Sequence, residues 1–129
     1  MSNKESQRLI NLMLEKSQES FLLAIETYNK PTIKFRVEGF VFFICNAWEL
    51  LLKAHLLNHG QNIHYKNKKS NQNRTISLGD AVKRVFTNEK DPLRKNLPAA
   101  QHIPSNVRRS VRCRFVSILF FLMVLFLSM

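Results

Sequence analysis

The chain has 129 residues, 45% of them hydrophobic, with 20 Lys and Arg against 9 Asp and Glu and a formal net charge of +11. That length sets one small domain as the limit, and the composition argues against disorder throughout. The positive charge favours contact with phosphate, in nucleic acid or at an anionic membrane surface, and its sign alone does not choose between them.

Leu9, Met13, Ser17, Phe21, Ala24, Ile25 and Tyr28 recur at three- and four-residue steps, which predicts an amphipathic helix over residues 4–28. Ser2 and Glu5 have the spacing of a capping box at its start. Pro31 lacks an amide donor and pushes Lys30 out of helical angles, so residues 29–32 are a turn. A second helix is expected over residues 33–58, where Phe40, Phe43, Ile44, Ala47, Leu50, Leu51, Ala54 and Leu57 form a wide apolar stripe suited to the centre of a bundle. Gly39 weakens it by about 1 kcal/mol relative to alanine if exposed, and Gly60 supplies a left-handed stop.

Residues 61–75 carry too few apolar side chains for a buried helix and are expected to form an exposed loop or short hairpin. Ser77 and Asp80 are spaced as a capping pair before a short third helix built on Leu78, Ala81, Val82, Val85 and Phe86. Asp91 and Pro92 mark a fourth start, with Asp as cap and Pro at the first helical position. Pro98 and Pro104 cut that fourth helix short. The expected architecture is therefore all-α, a small helical bundle with an exposed basic loop and an atypical apolar tail.

The chain changes character between Leu97 and Pro98. All nine acidic residues lie at or before Asp91, whereas Arg108, Arg109, Arg112 and Arg114 lead into residues 115–129, which contain no charge. We expect a helical domain at 1–97, a basic linker at 98–114 and an apolar tail at 115–129. As a helix the tail would span about 22 Å, short of a hydrocarbon core of about 30 Å. It reads either as an accidental, aggregation-prone ending or as a membrane anchor with a positive flank.

Two cysteines, Cys45 and Cys113, give neither a disulfide framework nor a thiolate zinc site, and no N-terminal export signal is evident; the expected compartment is the cytoplasm. No phosphate-loop glycine pattern is present. His55 and His59 stand one helical turn apart, but the intervening residues lack the Glu of a metalloprotease motif, and no metal or cofactor is expected. Lys66, Lys68, Lys69 and Arg74, accompanied by Tyr65 and Asn residues, form either a site that clamps an RNA backbone and stacks one base or a solvated basic loop. Asn46, Glu49 and Lys53 make a polar strip on the second helix, read either as support for catalytic groups on a neighbouring helix or as an internal Asn beside a surface ion pair worth about 0.3–0.5 kcal/mol. Trp48, Phe42 and Phe43 read as core or dimer-interface residues.

The stretches Phe21-Leu22-Leu23-Ala24-Ile25-Glu26, Asn29-Lys30-Pro31-Thr32, Arg36-Val37-Glu38-Gly39-Phe40, Asn46-Ala47-Trp48-Glu49-Leu50-Leu51-Leu52-Lys53-Ala54, Arg74-Thr75-Ile76-Ser77-Leu78 and Asp91-Pro92-Leu93-Arg94-Lys95-Asn96-Leu97 occur in this order. Together they resemble the bacterial domain of unknown function numbered thirty-six forty-four, over roughly residues 16–97. That family resembles the HEPN superfamily, helical bundles of toxin, phage-defence and RNA-processing proteins, many of them metal-independent ribonucleases that dimerise through their helices. The resemblance implies a HEPN-like bundle, RNA as partner and homodimerisation across helical faces. Active members carry an Arg followed by four to six residues and a His on a late helix. Here Arg94 and His102 are separated by seven residues, Pro98 among them, so no catalytic residue is assigned. The expected function is a truncated or frame-shifted remnant, or an interaction module, of an RNA-targeting protein without ribonuclease activity of its own. The alternative is a small membrane-anchored protein whose helical domain faces the cytoplasm.

Overall fold

The computed structural model of the chain describes residues 2–65, 74–92 and 94–95. Three α-helices, α1 (Asn3–Asn29), α2 (Arg36–Asn58) and α3 (Leu78–Val85), account for its regular structure, and the described residues contain no strand, so the fold is all-α.

Helix α1 opens on the expected capping box. Ser2 Oγ accepts from Glu5 N–H at 3.3 Å, and Ser2 N–H donates to Glu5 Oε2 at 3.0 Å, satisfying two donors that the first turn leaves without helical partners. The helix closes at Asn29, before the Pro31 turn. Helix α2 begins at Arg36, three residues later than the apolar pattern predicts. Residues 33–35 offer no capping side chain, and the Ile33 N–H donates back to the Lys30 carbonyl at 3.3 Å, so the turn consumes the residues the pattern assigns to the helix.

Helices α1 and α2 run antiparallel and close together. Thr27 meets Gly39 at one end, and farther along Ser17 Oγ donates to the Ala47 carbonyl at 2.7 Å. Small residues at Ser17, Ser20, Ala24 and Thr27 make this approach possible by keeping one stripe of α1 narrow. At the turn end, Tyr28 packs edge-on against Phe40 with ring centroids 5.5 Å apart, and the Arg36 guanidinium lies 6.0 Å from the Tyr28 ring.

The core is centred on α2, which buries Phe40, Ile44, Ala47, Trp48, Leu51, Leu52, Ala54 and Leu56. Phe43, Leu50 and Leu57 of the expected stripe are only partly buried, Phe43 and Leu57 packing against this core. Helix α2 is long and apolar enough to cross a membrane, yet more than half of it is buried within the bundle, as a core helix requires. It ends at Asn58, and past the cap Gly60 adopts φ 70°, with Gly60 N–H donating to the Leu57 carbonyl at 3.0 Å and Gln61 N–H to the Leu56 carbonyl at 2.9 Å. This Schellman arrangement needs the left-handed residue that glycine supplies without strain.

Beyond it the described ends of residues 61–75 pair as a stem, consistent with the hairpin alternative, while residues 66–73 lie outside the described residues. His64 and Thr75 form an antiparallel bridge, with Ile76 N–H donating to the Ile63 carbonyl at 2.8 Å and Tyr65 N–H to the Arg74 carbonyl at 3.0 Å. Ile63 and Ile76 are fully buried and fasten the stem to α2, while Leu78, Ala81 and Val82 of α3 close the same core. A helical turn opens at Pro92, with Lys95 N–H donating to the Asp91 carbonyl at 3.3 Å. The linker and tail proposed at 98–114 and 115–129 lie outside the described residues.

Candidate nucleic-acid interface

The hairpin stem and the start of α3 are joined by one polar cluster. Tyr65 donates its hydroxyl proton to Asp80 Oδ2 and accepts the Ser77 N–H at 3.1 Å. Ser77 Oγ in turn accepts from Asp80 N–H at 3.3 Å and donates to Asp80 Oδ2 at 3.2 Å. The capping pair expected from sequence is therefore only half reciprocal: the N-cap amide is satisfied by a tyrosine from the hairpin instead of by the carboxylate. These hydrogen bonds, the Tyr65 one foremost, with help from Lys83 and Arg84, hold the Asp80 carboxyl below its ordinary range. Arg84 Nη1 completes the junction by donating to the Asn62 carbonyl at 2.7 Å.

This junction fixes where the basic segment starts and returns. Arg74 is exposed on the stem, paired through its backbone with Tyr65. Lys66, Lys68 and Lys69 lie outside the described residues, in the stretch between those two paired positions. Lys83 and Arg84, also exposed, add cations from α3 that the sequence pattern did not single out, because their link to Tyr65 runs through a tertiary contact.

The polar strip is distributed among three different neighbours. Asn46 is exposed, not internal as one reading expects, because it sits at the rim of the helix contact, where its Nδ2 donates to Ser20 Oγ at 2.8 Å and ties α2 to α1. Lys53 Nζ donates to Glu49 Oε1 at 2.6 Å and to Thr75 Oγ1 at 3.0 Å, tying α2 to the stem. The Glu49–Lys53 pair departs from the expected surface ion pair, because Lys53 is 6% exposed. Nearby, burial first and the Glu49 charge second push the Cys45 thiol up to about 12, which keeps it in the thiol form and unsuited to nucleophilic attack.

His55 and His59 come together with ring centroids 4.4 Å apart, and burial together with His59 lowers the His55 pKa. Among the described residues no group of three His, Cys, Asp or Glu side chains is placed to hold a metal ion. Trp48 is fully buried, as expected for a core residue, whereas Phe42 is 70% exposed with its ring edge-on to Phe43.

Arg94 is committed to the end of α3. Its Nη1 donates to the Phe86 and Thr87 carbonyls at 3.2 and 2.7 Å, and its Nη2 lies 4.0 Å from Glu89 Oε1. His102 lies outside the described residues.

Comparison with known proteins matches the family model described as Domain of unknown function (DUF3644) to residues 12–103, bracketing the segment that carries the sequence motifs. No curated protein and no solved structure matches the chain.

Proposed function

Because this chain belongs to the DUF3644 family, we propose that it is a HEPN-like RNA-contacting module, a remnant or interaction partner of an RNA-targeting defence or toxin-like protein, which binds RNA without cleaving it. The observation that carries the reading is the anchored basic hairpin. Ile63 and Ile76 fasten its stem in the core, and the Tyr65–Arg74 backbone pair closes it. Between them run Lys66, Lys68 and Lys69, in a chain of net charge +11. A cation-rich segment on a rigid base attracts phosphate without losing a large ordering entropy in its support.

The absence of cleavage is supported by Arg94, whose guanidinium caps backbone carbonyls of the α3 end and so serves structure rather than a developing phosphate charge. Homodimerisation across helical faces, which the resemblance implies, is supported by the exposure of Phe42 on α2. The test of RNA contact is fluorescence anisotropy with single-stranded RNA at low salt, comparing the full chain with a variant in which Lys66, Lys68, Lys69 and Arg74 are all replaced by Gln. The reading requires the variant to lose most of its affinity; unchanged affinity removes the hairpin as the site. An in-register continuation of the family pattern in the downstream DNA would favour the remnant over the partner module.

A second reading, a cytoplasmic helical domain anchored by residues 115–129, rests on the uncharged run that follows Arg108, Arg109, Arg112 and Arg114. It predicts carbonate-resistant membrane retention that disappears when residues 115–129 are deleted. Release of the full chain by carbonate would count against it.

A further inference from the structure

We propose that Tyr65 is a base-stacking platform and that Lys83 and Arg84 of α3, together with Arg74, hold the flanking phosphates, so that hairpin and helix form one contact for single-stranded RNA. This inference rests on the RNA reading of the basic hairpin and extends it to α3.

Tyr65 combines exposure with fixation. The residue is 39% exposed, yet its hydroxyl is held by Asp80 and by the Ser77 amide, and its backbone N–H by the Arg74 carbonyl. A tyrosine has two side-chain torsions to restrain, and here both ends of the residue are already tied, so stacking a base on the ring loses little further freedom. Only an unpaired base offers its face to such a ring, which selects single strands over duplex.

Two of the cations share α3 with the carboxylate that holds this ring. Lys83 and Arg84 both act on the Asp80 carboxylate that holds the Tyr65 hydroxyl, and Arg74 is Tyr65's partner across the stem. Arg84 spends one guanidinium nitrogen on the Asn62 carbonyl. A guanidinium has five N–H donors in a fixed fork, so this bond orients the group while leaving capacity for phosphate oxygens. Asp80 is the acid within the group, and its charge is offset by Lys83 and Arg84 and directed at Tyr65 and Ser77.

The test uses the full chain and two labelled strands of equal length, a short oligouridylate and an abasic ribose-phosphate strand, titrated by fluorescence anisotropy at fixed low salt. We expect the chain to bind oligouridylate about tenfold more tightly than the abasic strand, the increment of one stacked base. Tyr65→Ala should abolish that preference, so that the two strands bind with equal affinity. Tyr65→Phe keeps the ring, so it should retain a preference above the Tyr65→Ala level even though the hydroxyl clasp is gone. Lys83→Glu should weaken both strands by the same factor, because phosphate contacts do not see the base. Equal binding of both strands by the unaltered chain, or a preference that survives Tyr65→Ala, overturns the stacking role while leaving the basic hairpin as the binding site. Failure of the unaltered chain to bind either strand overturns both. Circular dichroism melts of each variant separate loss of the ring from loss of the fold.

Discussion

Lys53 places an ammonium group inside the bundle, held between Glu49 of its own helix and Thr75 of the hairpin. Breaking a fully buried ion pair costs about 3–5 kcal/mol, but the Glu49 side chain is 31% exposed, and water can take over part of what Lys53 supplies. Lys53→Ala is therefore expected to destabilise the protein by about 2 kcal/mol in urea unfolding, the scale of a charge-assisted hydrogen bond. The pairing of Glu49 with Lys53 was legible from their four-residue spacing. The burial of Lys53 was not, because an internal and a surface pair share that spacing and Thr75 is brought in only by the fold.

Cys45 and His55 are also side chains whose chemistry is set by position. With its pKa near 12, folded Cys45 should resist iodoacetamide at pH 8 and react once urea unfolds the chain. Peptide mass spectrometry distinguishes its modification from that of Cys113. For His55 the sign runs the other way from a salt-bridged histidine. Burial and the neighbouring His59 make it harder to protonate in the fold, so the unfolded chain takes up the proton first as pH falls below the ordinary value of about 6.5. Stability from this residue is intact above that value and is lost as pH falls from it toward the lower native pKa. Melting temperature should accordingly decline from pH 7 to pH 5, with a shallower decline in His59→Ala; parallel pH profiles would contradict this coupling.

At the scale of elements, the contact between α1 and α2 depends on a residue that helix propensity disfavours. Replacing Gly39 by alanine gains about 1 kcal/mol in an exposed helix. Here the added Cβ would meet Thr27 Cγ2 at 2.8 Å, and a β-branched side chain has little rotamer freedom with which to retreat. Gly39→Ala is expected to lower stability by about 1–3 kcal/mol, the cost of overpacking; a stabilised variant in chemical denaturation would contradict the packing. The hairpin stem depends similarly on Ile76, whose replacement by alanine should cost about 2–5 kcal/mol. Helix ends were readable where their signals are local, as at Ser2, Glu5 and Gly60. Ile63 and Ile76 were not readable as core, since each stands in a polar stretch where no apolar period marks it.

For the whole molecule, the legible features are those carried by continuous helices. The all-α bundle was legible because α2 shows a sustained apolar stripe and the capping and turn residues divide the chain correctly. The junction of hairpin and α3 was hidden, since Tyr65, Asp80 and Arg84 meet only through tertiary hydrogen bonds. If Arg74, Lys66, Lys68 and Lys69 neutralise phosphate, the logarithm of RNA affinity should fall with the logarithm of salt concentration at a slope of about −3, four contacts on a single strand. A salt-independent affinity would exclude this mode.

The most direct measurement is to mix nuclease-free full chain with end-labelled single-stranded RNA and divide the sample between a native and a denaturing gel. Binding without cleavage predicts a retarded complex on the first and intact RNA on the second. Discrete RNA fragments that accumulate with time, or no retardation at low salt, would contradict it.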